Sequence, residues 1–179
     1  PYAAQPFGLS EYDQLRVDYY VHEGVTLGKR VMYDPLVHDL PEWLSALFIV
    51  DQKGKGLLGR LVTAYGYVND NTVGTAARSP DVERAFASSS GKRFHTTMDL
   101  VWGHTQCDLS WPASRLLACV SRSGISFPVR APLGPKNLPS IFQSKMEHEF
   151  GTLRDLESVD PEEPICIVMI DDFKNSSAD

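Results

Sequence analysis

A glycine-rich segment is the residue pattern closest to a known chemical motif in this chain. It begins at Gly54 and ends at Gly59 (GKGLLG), which matches the G-x-G-x-x-G pattern of dinucleotide sites, and Asp81 follows roughly 20 residues later. In such sites the first glycine turns directly off a strand so that a helix N-terminus meets the pyrophosphate. Here residues 51–53 (DQK) intervene. A solvated basic loop is therefore the favoured interpretation, and a nucleotide-binding enzyme is the alternative.

A second set of side chains has the types that bind zinc. These are His95, His104, Cys107 and Cys119, and two residues separate His104 from Cys107. A zinc site is usually marked by paired short spacings, which this set lacks. Cys119 lies in an apolar stretch and His95 on the polar face of an alternating segment. We therefore expect structural residues and no metal or cofactor.

The remaining candidates are carboxylates and nucleophiles. Asp171-Asp172 and Glu162-Glu163 lie in an acidic region near the end of the sequence, where solvated surface charge is the usual explanation. No G-x-S-x-G motif is present, and Ser123-Gly124 has the composition of a turn. The sequence therefore predicts no catalytic residue and no enzyme.

Composition indicates a folded domain with one core. The chain has 179 residues, of which 42% are hydrophobic and 22% charged, close to globular averages. Its apolar runs at 44–50 and 164–170 are much shorter than the roughly 20 residues that cross a bilayer. Three cysteines beside apolar residues suit reduced thiols and a cytosolic compartment. The opening Pro1-Tyr2, without an initiator Met, suggests a chain that lacks its native start.

Charge is unevenly distributed along the chain. The net charge is −6, and from Lys145 onward ten acidic residues face three basic ones. This balance argues against general nucleic-acid binding, so attraction to phosphate or anionic lipid depends on local basic clusters. Those clusters are Lys29-Arg30, Lys53 with Lys55 and Arg60, and Lys92-Arg93.

The elements that would position these residues indicate an α+β fold. Aromatic and β-branched runs predict strands, apolar residues at helical spacing predict helices, and an Asp39–Glu42 capping box starts one of them. The predicted strands are 15–23, 25–33, 94–102, 116–120, 125–129 and 165–170, and the predicted helices are 43–48, 57–68 and 141–150. We expect an antiparallel sheet packed against two or three helices, with a smaller C-terminal lobe.

The predicted domain organisation is an arm, one domain and a tail. Residues 1–14 form a flexible arm, 15–172 form one α+β domain with lobes at 15–92 and 93–172, and 173–179 form a polar tail. The long polar stretch 69–93 reads as a loop with one helical turn at 80–86. Pro128 favours an edge position for its strand.

Several segments resemble rhabdovirus matrix proteins of the vesiculovirus type. Residues 7–9 (FGL), 11–16 (EYDQLR) and 19–21 (YYV) are similar in order and spacing to the entry of that folded domain. Trp43, the 53–55 turn (KGK) and the apolar run 57–65 resemble the next two helices of the family. Residues 94–96 (FHT) and the run 165–172 resemble its later strands.

The resemblance implies a non-enzymatic coat protein of the virion. Such a protein self-assembles beneath the envelope, links the nucleocapsid to the membrane, condenses it and promotes budding. The implied partners are other copies of the chain, the viral nucleocapsid, anionic membrane lipids and host budding machinery, with no sequence-specific nucleic acid. The implied location is the inner face of the envelope, the host cytoplasm and its membranes, and the nucleus.

The resemblance also assigns roles to individual residues. It implies that Phe7, Leu9 and Tyr12 mediate self-association and that Pro1-Tyr2 is the remnant of a budding motif. Membrane or nucleocapsid contact is assigned to the basic side chains Lys53, Lys55, Arg60, Lys92 and Arg93. A scaffolding domain of no named family is a further alternative.

Overall fold

The computed structural model describes residues 2–52, 58–75, 94–157, 166–169 and 172–177. The strands in this part of the chain are β1 (Tyr2–Ala3), β2 (Arg30–Met32), β3 (Trp43–Val50), β4 (Arg60–Thr63), β5 (Phe94–Asp99), β6 (Cys119–Ser121), β7 (Gly124–Pro128), β8 (Cys166–Met169) and β9 (Asp172–Ser177). The helices are α1 (Glu11–Thr26), α2 (Gly66–Asp70), α3 (Trp111–Leu116) and α4 (Leu138–Glu157), with a 3₁₀ turn at Gly103–Gln106. Among these described helices, none is long and apolar enough to cross a membrane.

The chain divides into two compact units. Unit 1 comprises Pro1–Val73 and Thr105–Lys136, and unit 2 comprises Gly74–His104 and Asn137–Asp179. The units are interleaved along the chain, whereas the lobes predicted from sequence, 15–92 and 93–172, are contiguous. Those lobe boundaries stay a prediction.

Unit 1 is built on a mixed sheet. Its strand order is β1-β3-β6-β7-β2, and β4 pairs with β3. Strand β3 runs parallel to both β1 and β6, while the β3–β4, β6–β7 and β7–β2 pairs are antiparallel. The α+β class is therefore confirmed, but the sheet is not purely antiparallel.

Helix α1 occupies the segment for which a strand was predicted. Ser10 caps it by accepting a hydrogen bond from the Asp13 backbone N–H at 3.1 Å. The buried residues Val17, Val21 and Gly24 lie on one side of the helix. The strand prediction for 15–23 is wrong because aromatic and β-branched composition outweighed the helical spacing of the buried positions.

The two helices predicted next are also wrong. Residues 43–50 form β3, and the segment 57–68 contains β4 followed by the short helix α2. Strand β3 has neighbours on both sides, and its residues Leu44, Ser45, Ala46 and Leu47 are all buried. A continuous apolar run of this kind does not distinguish a buried strand from a buried helix.

Other predictions from alternation and turn residues are confirmed. They include β5, the β6–β7 hairpin, α4 and β8, although α4 continues past Gly151. The predicted edge position of Pro128 is wrong, because β7 lies between β6 and β2. Most of the segment predicted as a polar tail, 173–179, lies in β9. The turn predicted at 80–86 lies outside the described residues.

The core of unit 1 forms where α1 packs against the sheet. Two apolar residues of α1 pack there against buried residues of the sheet and of the neighbouring loops. The cluster consists of Val17, Val21, Leu47, Tyr65, Leu117 and Cys119. The buried Tyr65 hydroxyl donates a hydrogen bond to the Leu117 carbonyl at 3.1 Å, which satisfies the polar tip of a buried aromatic side chain. Helix α1 is thus fixed to the sheet by apolar contacts.

Gly59, which directly precedes β4, is closely packed, and Gly28 has the same backbone conformation without close neighbours. Gly59 and Gly28 both have φ of 64°, but a Cβ at Gly59 would lie 2.9 Å from Ile49 Cγ2 and 2.9 Å from the Val50 carbonyl oxygen. A Cβ at Gly28 meets no atom within 4 Å. We expect Gly28→Ala to lower the free energy of unfolding by about 1 kcal/mol, and Gly59→Ala by about 2–4 kcal/mol. Urea unfolding followed by circular dichroism measures both, and equal losses would contradict the packing described.

Candidate active site

Two aspartates meet in the three-stranded sheet of unit 2. Strand β9 lies between β5 and β8, and both of its pairings are antiparallel. Asp99, the last residue of β5, is the register partner of Asp172, the first residue of β9. Directly opposed residues of an antiparallel pair have Cα atoms about 4.5–5.5 Å apart. The register therefore places two acidic residues side by side at one end of the sheet.

A third aspartate adjoins this pair in sequence. Strand β8 ends at Met169, which is the other register partner of Asp172. Only residues 170 and 171 separate β8 from β9. Asp171 is one of these two residues, and it lies outside the described part. We call Asp99, Asp171 and Asp172 the aspartate set.

The donor chemistry of the aspartate set fits a divalent cation. Carboxylate oxygens are the hard ligands that Mg²⁺ and Mn²⁺ prefer. Neighbouring carboxylates repel one another when ionised, and a bound cation removes that repulsion. Among the side chains that the structure describes, no group of three or more His, Cys, Asp and Glu residues could hold a metal ion. The aspartate set is the candidate site because the β5–β9 register and the sequence bring its three carboxylate-bearing residues together.

Local sequence patterns do not predict this site. The acidic composition near the end of the sequence predicts solvated surface charge at Asp171 and Asp172, but Asp172 begins the central strand of a three-stranded sheet. The available signal was an apolar run, 165–170, that ends in two consecutive aspartates. The pairing with Asp99 is a long-range contact, which no local pattern reveals.

Two buried polar side chains of unit 2, His104 and Gln143, make contacts with residues of α4. His104 is 8% exposed, and its ring stacks on Phe142 at 4.7 Å between centroids. The Gln143 side chain, 3% exposed, donates a hydrogen bond to Glu147 Oε1 at 2.9 Å. Both contacts fix side chains on the first half of α4.

The residues considered for zinc fall in different units. His95 and His104 belong to unit 2, whereas Cys107 and Cys119 belong to unit 1. Both cysteines are buried free thiols, and Cys119 Sγ lies 3.5 Å from the Tyr65 hydroxyl. Cys119 is therefore part of the unit 1 core.

The glycine-rich segment 54–59 lies in sequence between two antiparallel strands, β3 and β4. Val50 pairs with Arg60 at the base of the β3–β4 hairpin, so the described residues on either side do not show a strand leading into a helix. Arg60 is exposed at the start of β4. The other basic residues assigned to membrane or nucleocapsid contact, Lys53, Lys55, Lys92 and Arg93, lie outside the described residues, and all five assignments stay predictions.

The N-terminal arm is bound to unit 1. The Tyr2 N–H donates to the Glu42 carbonyl at 2.9 Å, and the Tyr2 ring stacks on Tyr67 at 4.2 Å. Phe7 packs edge-on against Phe48, and Leu9 packs against the core cluster. Tyr12 lies in the first turn of α1, and Pro1 is outside the described residues. The roles predicted for Pro1 and Tyr2 in budding and for Phe7, Leu9 and Tyr12 in self-association stay predictions.

Helix α1 also holds both ends of the segment between β3 and β4. The buried Arg16 guanidinium pairs with Asp13 and donates to Asp51 Oδ1 at 2.7 Å. The Tyr20 hydroxyl donates to the Gly59 carbonyl at 2.9 Å. Hydrogen bonds from Arg16, and then from Ser10, lower the pKa of the Asp13 carboxyl. The base of the hairpin is thereby tied to the helix.

Known proteins similar to this chain are viral and transposon polyproteins. No family model matches the chain. It is 26% identical over 141 residues to the enzymatic polyprotein of Figwort mosaic virus (strain DxS), covering 76% of this chain and 20% of the relative. It is 27% identical over 169 residues to the retrovirus-related Pol polyprotein from transposon gypsy of Drosophila melanogaster, covering 92% of this chain and 15% of the relative. The chain thus spans about a fifth or less of the length of these curated relatives.

Solved structures identify the fold. The whole chain aligns with 22% of the prototype foamy virus protease-reverse transcriptase, with a TM-score of 0.77 and 18% identity. It has the fold of part of a protease-reverse transcriptase. A foamy viral protease-reverse transcriptase in complex with an RNA/DNA hybrid gives a TM-score of 0.79 at 13% identity, again over 100% of this chain and 22% of the other.

The resemblance to rhabdovirus matrix proteins is wrong. The relatives are enzymatic polyproteins and the fold neighbours are protease-reverse transcriptases, so the expectations of a coat protein and of no enzyme are overturned. The expected partners are overturned as well, because foamy viral structures contain double-stranded DNA or an RNA/DNA hybrid. The motifs that suggested a matrix protein are short. The segments that resembled its first strand and its next two helices instead contain α1, β3 and β4. The predicted virion and host-cell location stays a prediction.

The Asp13–Arg16 pair predicts a dependence of stability on acid. Folding lowers the pKa of the Asp13 carboxyl, so its interactions stabilise the folded protein fully when the pH is above the usual pKa of 3.8. This contribution is lost as the pH falls through the lowered pKa of the folded state. We expect Asp13→Asn to be less stable than the wild type at pH 7 and to lose less stability below about pH 4. Urea unfolding at a series of pH values tests this. Asp70→Asn, on the exposed end of α2, is the matched control, and parallel curves for Asp13→Asn and wild type would contradict the pairing.

Proposed function

We propose that this chain is the metal-binding part of a nucleic acid polymerase of the reverse transcriptase type. The observation that carries the proposal is the β5–β9 register, which pairs Asp99 with Asp172 next to Asp171 in sequence. The fold similarity to protease-reverse transcriptases supports the same class of enzyme. Oxygen-only donors are the ligands expected where a divalent metal acts on phosphate.

The aspartate set would hold divalent metal ions for phosphoryl transfer. When bound, such ions orient the reacting oxygens and neutralise the charge that develops on the phosphate. The protein contributes position: the β9 pairings with β5 and β8 fix the backbone of Asp99 and Asp172 before a cation arrives. Because the strands already fix the backbone, only the side-chain torsions of each aspartate lose freedom when its carboxylate becomes a ligand.

The proposed substrates are a nucleic acid duplex and nucleoside triphosphates. The support comes from the foamy viral relatives, whose structures contain double-stranded DNA or an RNA/DNA hybrid. The net charge of −6 means that this chain would bind a duplex through locally placed basic residues, of which Arg60 is an exposed example. Metal ions at the aspartate set would also offset the acidic charge facing the substrate.

Metal binding separates this proposal from a proteolytic one. The fold neighbours are named protease-reverse transcriptases. A pair of aspartates in an aspartic protease shares one proton and needs no metal, whereas the aspartates of a polymerase are metal ligands. A requirement for Mg²⁺ or Mn²⁺ at Asp99 and Asp172 therefore favours phosphoryl transfer.

Removal of either paired aspartate is expected to weaken metal binding. In Asp99→Asn and Asp172→Asn an amide replaces a charged ligand, so affinity for Mn²⁺ should fall by about tenfold or more. Electron paramagnetic resonance of free Mn²⁺ during titration of the chain measures this affinity. Asp70→Asn removes an exposed carboxylate of unit 1 and should leave it unchanged. Equal affinity in all four proteins would exclude the aspartate set as the metal site.

A second experiment separates synthesis from hydrolysis. With Mg²⁺, a labelled primer on an RNA template and nucleoside triphosphates, we expect primer extension, and Asp172→Asn should reduce its rate by about a hundredfold or more. The RNA strand is labelled separately, so that its cleavage is observed in the same reaction. Cleavage of the RNA without extension would contradict polymerisation and favour a nuclease that uses the same carboxylates.

A further inference from the structure

Helix α1 carries large apolar side chains on its outer face. Tyr12, Leu15 and Tyr19 are 52%, 63% and 48% exposed. They are spaced at i, i+3 and i+7 within Glu11–Thr26, so they follow one another along two turns of the same face. We call these three residues the α1 stripe. Single exposed apolar residues are common, but an ordered row on one helix face is typical of a helix-binding surface.

The α1 stripe is separate from the face that builds the core. Val17, Val21 and Gly24 are buried on the opposite side of the helix. The stripe is also held in place by local contacts, since the Tyr19 hydroxyl donates to Glu23 Oε1 at 3.3 Å and the Arg16 guanidinium lies 4.6 Å from the Tyr12 ring centre. Side chains that are already positioned lose less entropy when a partner binds.

Acidic side chains flank the α1 stripe. Glu11 is exposed at its start, while Asp18 and Glu23 lie farther along the helix. The one Arg or Lys of the helix, Arg16, is engaged by Asp13 and Asp51. The charged side chains of α1 that border the stripe are therefore acidic and favour a partner with positive charge.

The charge pattern disfavours a second copy of this chain as the occupant. A two-fold contact between two copies would place the acidic border of one α1 stripe next to the acidic border of the other. Like charges facing each other across an interface oppose association. The chain as a whole is also acidic, with a net charge of −6. A basic polypeptide satisfies both the apolar row and its acidic border.

We propose that the α1 stripe docks an amphipathic helix whose apolar row is bordered by lysine or arginine. The apolar row packs against Leu15 between the two tyrosine rings, and the basic border faces Glu11, Asp18 and Glu23. This surface lies in unit 1, whereas the aspartate set lies in unit 2. The proposal is therefore independent of metal binding.

A designed peptide tests the proposed surface. The probe is a fluorescent helical peptide of about five turns with leucines at i, i+3 and i+7 and a lysine border; the comparison peptide has the same leucines and a glutamate border. We expect the lysine peptide to bind the chain, and the affinity of the glutamate peptide should be lower by about tenfold or more. Leu15→Asn should lower the affinity for the lysine peptide by about tenfold. Fluorescence anisotropy measures the affinities, and circular dichroism verifies that the variant is folded.

Controls distinguish the α1 stripe from general attraction to an acidic protein. Leu36→Asn changes an apolar residue that is 92% exposed outside α1, and it should leave peptide affinity unchanged. Equal affinity of the two peptides, no binding of the lysine peptide, or the same loss in Leu15→Asn and Leu36→Asn would overturn the proposal. Dimerisation in sedimentation velocity that Leu15→Asn abolishes would also overturn it, because a second copy would then be the occupant.

Discussion

The pairing of β5 with β9 is the constraint on which the candidate site depends. Strand side chains alternate between faces with a period of two, so a slip of one residue in this pairing would separate Asp99 from Asp172. The register is supported along six consecutive residue pairs, from Phe94–Ser177 to Asp99–Asp172, and on the other side by the pairing of β9 with β8. The backbone positions of Asp99 and Asp172 are thus set by hydrogen bonds that extend well beyond these two residues.

The same arrangement carries an electrostatic cost. Ionised carboxylates at adjacent positions repel one another, and nothing in a strand pairing relieves that repulsion. A protein that keeps such a cluster gains a site with strong attraction for divalent cations. In unit 1 the acidic residues Asp13 and Asp51 are instead paired with Arg16, and there they join a helix to a hairpin. The aspartates of the proposed site would bind a cation, whereas those of unit 1 pair with an arginine.

The sequence predicted the elements whose signals are local. Strand β5 alternates polar and apolar residues, and the β6–β7 hairpin has Ser123-Gly124 at its turn, with Gly124 at φ of 113°. Strand β3 was mistaken for a helix because it is buried on both faces and therefore shows no alternation. Helix α1 was mistaken for a strand because its buried residues are few and its outer face carries tyrosines and leucine. The aspartate set was missed because Asp99 and Asp172 meet only through the fold.

An anomalous difference map from crystals grown with Mn²⁺ locates both the metal and the strand register in one experiment. We expect a manganese peak within ligand distance of carboxylate oxygens from both Asp99 and Asp172, about 2.0–2.3 Å, with β5 and β9 paired as described. An ordered sheet with manganese bound elsewhere, or with Asp172 shifted out of register with Asp99, would contradict this expectation.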